Sequence, residues 1–149
     1  MLDLKSLYQE VIIDHNRHPR NYHKLLEANR VAEGYNPLCG DRLTLYLQLE
    51  DGTIRDLSFE GAGCAISTAS ASLMTEHLKG KTEQEAGELF ERFRTMVTEE
   101  DGEADSARLG KLSVLAGVKA FPARIKCATL CWHTLHSALN DEHKTVSTE

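Results

Sequence analysis

A strict alternation of apolar and polar residues between positions 41 and 50 constrains the fold more than any other feature of this sequence. Leucine occupies every second position from Leu43 to Leu49, and mainly polar residues occupy the positions between them. A period of two is typical of a half-buried strand, because successive side chains point to opposite faces of a sheet. Asp51-Gly52 follows as a hairpin turn signal, so the segment 54–60 is expected to return as a second strand.

The rest of the chain is predicted to be mainly helical. Residues 30–35 are expected to add a third strand, and apolar residues recur with a helical period elsewhere. Thr82 followed by Glu85 indicates a capping box at the start of one helix. We therefore expect an α+β fold over residues 1–149, a single domain in which a small antiparallel three-stranded sheet packs against a helical layer. The predicted helices cover residues 2–15, 65–77, 82–96, 109–118 and 122–139.

Composition and charge exclude several classes of function. The 149 residues carry a formal net charge of −6, which argues against nucleic acid as the main partner because phosphate binding needs a surplus of Lys and Arg. The first residues are polar and charged, so neither a signal peptide nor a membrane-spanning helix is expected. We therefore expect a cytoplasmic protein. Thiols stay reduced in that compartment, so the four cysteines, which form no CxxC pair, indicate metal or sulfur chemistry rather than disulfides.

The segment Asn36-Pro37-Leu38-Cys39-Gly40-Asp41 places a thiol and a carboxylate two residues apart in a turn. Pro37 fixes its own φ angle, while Gly40 tolerates the φ angles that a tight turn needs. Cys39 and Asp41 can therefore face one metal ion. A single cysteine is more often a small buried apolar residue than a ligand, so this interpretation depends on the remaining thiols.

Two of the remaining thiols are predicted to lie at helix starts. Cys64 follows a Gly61-Ala62-Gly63 turn, where the backbone can approach closely and the positive end of the helix dipole favours a thiolate. Cys127 follows Pro122 at the entry to the last helix. We expect the fold to gather four donor groups at one site, namely Cys39, Asp41, Cys64 and Cys127.

Three other features receive structural or open interpretations. Cys131 lies one turn beyond Cys127 on the apolar stripe of the last helix, which favours a position in the core over a metal pair. The acidic segment 98–106 is interpreted as a solvated surface rather than a site for a basic partner. The segment 14–22, rich in basic and imidazole groups, is consistent with either a solvated loop or a contact with a partner.

Several motifs together resemble the U-type iron–sulfur assembly proteins over nearly the whole chain. Three cysteines, with an aspartate two residues after the first, are more specific than any one motif. Lys126 stands where the IscU branch has a histidine, and a long acidic segment precedes Cys127, so the chain is similar to the SufU branch. The motifs are Leu7-Tyr8 through Ile12-Ile13-Asp14-His15, Pro19-Arg20-Asn21, Asn36 to Asp41, Phe59 to Ser67, and Arg124-Ile125-Lys126-Cys127.

The resemblance implies a closed zinc site in which Arg124 and Lys126 neutralise part of the negative charge of the ligands. It also implies a zinc-dependent sulfurtransferase that accepts persulfide sulfur from a SufS-type cysteine desulfurase, with downstream Suf scaffold proteins as further partners in iron–sulfur cluster biogenesis. A ligand exchange on the zinc would free Cys39, the expected sulfur acceptor, to attack the persulfide. The implied zinc ligands are Cys39, Asp41, Cys64 and Cys127.

Two alternatives stay open at this point. The same thiolates could hold a transient [2Fe-2S] cluster, which would make the chain an IscU-like scaffold, although the missing histidine argues against that function. A closed site of four ligands is also typical of structural zinc, so the chain could instead be a zinc-stabilised binding module. Visible absorption after anaerobic reconstitution would reveal a scaffold, and rapid zinc-ligand exchange with a desulfurase would argue against purely structural zinc.

Overall fold

A computed structural model describes residues 4–99, 106–142 and 145–147 of the chain. The predicted acidic surface segment falls mostly on residues 100–105, which lie outside the described residues. The elements in chain order are α1 (Leu4–Arg17), β1 (Arg30–Asn36), β2 (Asp41–Glu50), β3 (Thr53–Ala62), α2 (Ala65–Leu78), α3 (Glu83–Thr98), α4 (Ser106–Leu109), the 3-10 segments Gly110–Ala120 and Pro122–Arg124, α5 (Ile125–Leu139) and β4 (Val146–Ser147).

The sheet is built around the predicted hairpin. β2 pairs antiparallel with both β1 and β3, and Leu45 lies opposite Ala32 in one ladder and opposite Phe59 in the other. Leu43, Leu45 and Leu47 are buried, whereas the residues between them, Thr44 and Tyr46, are partly exposed. The alternation in the sequence therefore marks one face that packs on the core, and the α+β class is confirmed.

The predicted count of three strands is wrong. The sheet has four strands in the order β3-β2-β1-β4, and it is mixed because β4 pairs parallel with β1 at Gly34 and Tyr35. β4 contains only Val146 and Ser147 in the described residues. Two residues are too few to show the alternation on which the strand predictions depended.

The helices cover one face of this sheet. α5 packs against β1 and β2, and α2 contacts both α1 and α5. Trp132 of α5 is fully buried and stacks on Phe93 of α3, with ring centroids 5.1 Å apart. Across the described ranges, no helix has both the length and the apolar character needed to span a membrane.

A buried polar cluster attaches the end of α1 to α2. The helix ends at Arg17, two residues before Pro19, in agreement with the helix-stopping effect of that proline. His15 is 2% exposed, and its Nδ1 lies 2.7 Å from Ser72 Oγ. The same hydroxyl oxygen accepts a hydrogen bond from the backbone N–H of Arg20 at 2.8 Å. This part of the segment 14–22 is therefore structural.

The helix predicted over residues 109–118 is mostly 3-10 helix. Its fully buried apolar residues follow one another at intervals of three. A strict period of three matches the three residues per turn of a 3-10 helix better than the 3.6 of an α-helix. The residues are Leu109, Leu112, Leu115 and Val118.

Candidate metal centre

Cys39 lies near the end of the short turn that joins β1 to β2. Asn36 and Asp41 are paired across the two strands, so residues 37–40 form the turn. Gly40 has a φ angle of +71°, a left-handed value that favours glycine. Asp41 is fully buried at the base of the turn, whereas Cys39 stays half-buried.

The other two predicted thiols come from helix starts. Cys64 is the N-cap residue of α2, and its Sγ accepts a hydrogen bond from the backbone N–H of Ser67 at 3.4 Å. Cys127 lies in the first turn of α5 and is fully buried. Three segments that are distant in the sequence therefore converge at one end of the sheet.

Three of the four predicted donor groups form a compact set. One donor atom each from Cys39, Asp41 and Cys127 lies within 4.8 Å of the other two, and the two sulfur atoms are 3.2 Å apart. Cys64 is not one of these three, but its backbone N–H donates to Oδ1 of Asp41 at 2.8 Å, and its thiol is near enough to that of Cys127 to shift its pKa. The structure thus places all four side chains in one connected cluster, with Cys64 the least central.

Asp41 is held through both of its carboxylate oxygens. Oδ1 accepts the backbone N–H of Cys64 at 2.8 Å, and Oδ2 accepts a hydrogen bond from Nδ2 of Asn36 at 3.1 Å. The same Asn36 nitrogen donates to Sγ of Cys127 at 3.4 Å. Asn36 was considered from the sequence only as a turn residue. Its place on the inward side of the β1 alternation, after Ala32 and Gly34, is the signal that could have placed its amide in the core.

The two basic residues predicted to neutralise charge differ in position. Nη1 of Arg124 donates to Sγ of Cys39 at 3.3 Å. The neighbouring Cys127 thiol and the charge of the Cys39 thiolate raise the pKa of Arg124 above its usual value. Lys126 is exposed, and the described residues offer its ammonium group no hydrogen bond or ion pair. The contact with a site thiol is therefore seen for Arg124, and the role of Lys126 stays a prediction.

The thiols of Cys64 and Cys127 ionise differently in the metal-free cluster. The neighbouring Cys127 thiol, helped by the backbone N–H of Ser67, lowers the pKa of Cys64 although the side chain is partly buried. The proximity of Cys64, together with burial, raises the pKa of Cys127. Cys64 therefore becomes a thiolate before Cys127 does.

Cys131 has the predicted position in the core, apart from the cluster. Its side chain is 2% exposed, and burial raises the pKa of its thiol to about 12. Its Sγ lies 3.5 Å from Oγ of Ser70, which donates a hydrogen bond to the carbonyl oxygen of Ala128. A buried thiol with a raised pKa is mostly protonated at neutral pH and is a poor nucleophile or ligand.

The donor set fits a tetrahedral metal ion. Zinc–sulfur bonds of about 2.3 Å at the tetrahedral angle place two thiolate sulfurs roughly 3.8 Å apart. The sulfurs of Cys39 and Cys127 are 3.2 Å apart, so binding needs them to separate by about half an ångström. Because Cys39 is only half-buried, its side chain has room to make this adjustment. Thiolates and a carboxylate are ligands for zinc, and thiolates also accept iron.

An open groove of about 440 Å³ adjoins the cluster beside Arg124. Residues of α1 form one wall of the groove, and Ile66 and Phe121 also line it. Ile13 and Phe121 on its rim are each 51% exposed, and Leu38, next to Cys39 in the sequence, is 67% exposed. Large apolar side chains therefore lie open to solvent on segments that flank the thiols.

The fold and the cluster define a class of protein, an α+β unit in which cysteines and an aspartate from distant segments meet at one end of the sheet. The sequence profile of the NifU-like N-terminal domain family matches residues 7–128, and the chain belongs to this family. The predicted membership among the U-type iron–sulfur assembly proteins is therefore confirmed.

Similar proteins are named for iron–sulfur cluster assembly or for zinc-dependent sulfur transfer. The chain is 43% identical over 140 residues to the zinc-dependent sulfurtransferase SufU of Bacillus subtilis, with 94% of each chain covered. It is 42% identical over 135 residues to the iron–sulfur cluster assembly scaffold protein IscU of Thermotoga maritima, covering 91% of this chain and 94% of that one. A crystal structure from Fervidobacterium islandicum, named as an iron–sulfur cluster assembly scaffold protein for the SUF system (FiSufU), superposes with a TM-score of 0.83 at 40% identity, covering 89% of this chain and 96% of that one.

Proposed function

We propose that this chain is a zinc-dependent sulfurtransferase that accepts persulfide sulfur from a SufS-type cysteine desulfurase and passes it to downstream Suf scaffold proteins. The observation that carries the proposal is the position of Cys39, half-buried in a turn and beside buried Asp41 and Cys127. An acceptor thiol must reach a partner, whereas the groups around it must stay in place. The Bacillus subtilis relative at 43% identity carries the name of this activity.

The metal proposed for the site is one Zn²⁺ ion, which when bound would supply a positive charge that keeps thiols deprotonated at neutral pH. Burial of Asp41 and Cys127 suits permanent ligands, since neither side chain can turn to solvent without disturbing the fold. The backbone N–H of Ser67 supports the thiolate of Cys64 at the start of α2. The ligands in this proposal are Cys39, Asp41, Cys64 and Cys127.

Cys39 is the proposed nucleophile. Its thiolate attacks the outer sulfur of the donor's persulfide, and a new sulfur–sulfur bond forms on Cys39. The sulfur–sulfur bond of the donor breaks at the same time, and the donor leaves as a thiolate. The guanidinium of Arg124, 3.3 Å from Sγ of Cys39, is placed to stabilise the negative charge of the product persulfide.

The apolar surface beside the site supports approach of a protein partner. Ile13, Leu38 and Phe121 are at least half exposed, and such side chains on the surface of a soluble domain favour a protein contact. A partner that covers them would also exclude water from the thiols, which protects a reactive persulfide.

The proposal is tested by incubating the zinc-loaded protein with a SufS-type desulfurase and cysteine, followed by peptide mass spectrometry. We expect one added sulfur atom on the peptide that contains Cys39, and faster alanine release by the desulfurase. Cys39→Ala should abolish both effects, and Cys131→Ser is the matched control because it removes a thiol outside the cluster. Persulfide mainly on Cys64 or Cys127, with normal acceptance by Cys39→Ala, would overturn the assignment.

A scaffold function is the second candidate, because the Thermotoga maritima relative at 42% identity is named as an iron–sulfur cluster assembly scaffold. Under this alternative the same three thiols would hold iron as part of a [2Fe-2S] cluster. Lys126 stands where the scaffold branch has a histidine, and a protonated ammonium group cannot ligate iron. Anaerobic reconstitution with iron and sulfide separates the two functions: a stable visible absorption of a [2Fe-2S] cluster supports the scaffold, and its absence supports the sulfurtransferase.

A further inference from the structure

Asn36 is a buried amide whose functional contacts were not predicted from the sequence. It is the last residue of β1, it is 0% exposed, and it follows Ala32 and Gly34 on the inward side of the strand. Its Oδ1 has no hydrogen-bond partner among the described residues, although it is fully enclosed. A buried amide with an unpaired oxygen lowers stability unless its other atoms compensate, so the role of its nitrogen needs an explanation.

The amide nitrogen of Asn36 connects two of the proposed ligands. Nδ2 donates to Oδ2 of Asp41 at 3.1 Å and to Sγ of Cys127 at 3.4 Å. The other oxygen of Asp41 accepts the backbone N–H of Cys64 at 2.8 Å. A chain of hydrogen bonds therefore runs from Cys127 through Asn36 and Asp41 to the start of α2.

Cys39 is a proposed ligand that Asn36 does not contact. Its Sγ contacts the thiol of Cys127 and the exposed guanidinium of Arg124, and it makes no hydrogen bond to Asn36. The turn that carries it includes Gly40, where an added Cβ atom would meet no other atom within 4 Å. The cluster is thus asymmetric. Asn36 bonds two buried donor groups, Asp41 and Cys127, whereas the half-buried thiol of Cys39 is bonded only by another thiol and by an exposed guanidinium.

We infer that Asn36 is a positioning residue that holds Asp41 and Cys127 in place, so that Cys39 is the ligand that exchanges. The inference rests on the proposed metal site and adds to it the cause of the difference between Cys39 and Cys127. The amide has two N–H bonds, and the two ligands that it contacts are both negatively charged when a metal is bound. Residues that orient metal ligands in this way typically change metal affinity by about 10- to 100-fold when they are removed.

The test compares Asn36→Ala and Asn36→Ser with a matched control, Ser70→Ala. Ser70 is equally buried and also bonds to α5, but it contacts the backbone of Ala128 and the thiol of Cys131 instead of the cluster. Zinc affinity is measured by chelator competition. The visible absorption of the Co²⁺-substituted protein reports the kind and arrangement of the ligands around the metal. We expect about a 10-fold or greater loss of zinc affinity and a changed cobalt spectrum in both Asn36 variants, with neither effect in the control.

A second measurement addresses which thiol exchanges. The zinc-loaded proteins are treated with a limiting amount of iodoacetamide, and the modified cysteines are mapped by peptide mass spectrometry. Wild-type protein and Ser70→Ala should be modified mainly at Cys39, whereas the Asn36 variants should gain modification at Cys127 by several-fold. Circular dichroism shows whether each variant folds. If Asn36→Ala does not fold, the conclusions are drawn from Asn36→Ser, which keeps a polar side chain.

The outcomes separate this inference from the proposed function. If wild-type protein binds zinc and both folded Asn36 variants keep its affinity, spectrum and preference for Cys39, burial alone explains the preference and the inference is wrong. If wild-type protein itself binds no zinc or cobalt, the proposed metal site fails first. If the control loses affinity as much as the Asn36 variants, the effect is general destabilisation and the specific role of Asn36 is overturned.

Discussion

Gly63 packs so closely against Asp41 that there is no room for a side chain at position 63. A Cβ atom at position 63 would lie 2.5 Å from Oδ1 of Asp41, shorter than real Cβ contacts allow. Asp41 is itself fully buried and bonded at both oxygens, so it has little room to move away. The absence of a side chain at Gly63 therefore lets the start of α2 lie directly against the carboxylate.

We expect Gly63→Ala to displace Asp41 and to weaken zinc binding by at least 10-fold, with a modest loss of stability. Chelator competition measures the affinity, and thermal unfolding of the metal-free protein measures the stability. Gly87→Ala in α3 is the matched control, because no atom lies within 4 Å of a Cβ there. That change should raise stability by about 0.5–1 kcal/mol and leave zinc binding unaltered. Equal zinc affinities in the two variants would contradict the importance of this contact.

Cys131→Ser tests the assignment of the fourth cysteine to the core. The new hydroxyl would lie near Oγ of Ser70 and the carbonyl of Ala128, so part of its hydrogen bonding is satisfied. We expect a loss of about 1 kcal/mol in the free energy of unfolding, at the low end for a buried polar group. Zinc content and sulfur acceptance should be unchanged. A folded variant that keeps zinc but accepts no sulfur would instead give Cys131 a chemical role.

At the level of elements, the link between α1 and α2 should make stability depend on pH. Burial and the nearby Arg20 lower the pKa of His15 below its usual value of 6.5, so the folded state favours the neutral imidazole. Below pH 6.5 the unfolded chain binds more protons than the folded one, and stability then decreases as pH falls towards the folded-state pKa. Burial lowers the pKa values of His77 and His133 in the same direction.

Urea unfolding of the protein at pH 7.5 and pH 5.5 measures this effect. We expect the free energy of unfolding to be larger at pH 7.5 than at pH 5.5. His15→Gln should reduce the difference between the two pH values, because it removes one titrating group. His18→Gln, at an exposed position nearby, is the control and should keep the wild-type difference. An unchanged difference in His15→Gln would show that other groups account for the acid sensitivity.

The elements that could be predicted from the sequence are those with a local signal. The alternation in β2 and the capping box of Thr82 and Glu85 both appear as expected, because each depends on residues close together in the chain. β4 was missed because its pairing with β1 involves two residues far apart in sequence. The apolar residues between Leu109 and Val118 were assigned to a helix correctly, but spacing at three residues did not by itself separate the 3-10 from the α form.

In the candidate site, too, some residues were predicted from the sequence and some contacts were not. The three cysteines were predicted as ligands because thiols that stay reduced indicate metal or sulfur chemistry, and Asp41 because it stands two residues after Cys39. The motifs of Cys39, Asp41, Cys64 and Cys127 also resemble those of a known family. The hydrogen bonds of Asn36 depend instead on how β1, β2 and α5 pack together. Tertiary contacts of this kind cannot be recognised from the spacing of residues in the sequence, so the sequence predicted the proposed ligands but not the hydrogen bonds of Asn36.

For the whole molecule, the proposed metal should contribute to folding stability. An ion that binds only the folded state adds about 2.7 kcal/mol when its free concentration is 100 times the dissociation constant. Removing zinc with a chelator should therefore lower the melting temperature by about 5–10 °C for a chain of this size. Thermal unfolding followed by circular dichroism, with metal content from elemental analysis, checks this. Identical melting curves for metal-loaded and metal-free protein would show that metal binding and folding are independent.

The wide separation of the clustered side chains also has a consequence for synthesis on the ribosome. Cys39 and Cys127 meet although they are 88 positions apart, and Cys127 belongs to the last helix of the described chain. A nascent chain that ends before α5 contains Cys39, Asp41 and Cys64 but lacks both the buried thiol and the helix that packs on β1. The complete set of proposed ligands therefore comes together only after the final helix has left the ribosome and packed on the sheet.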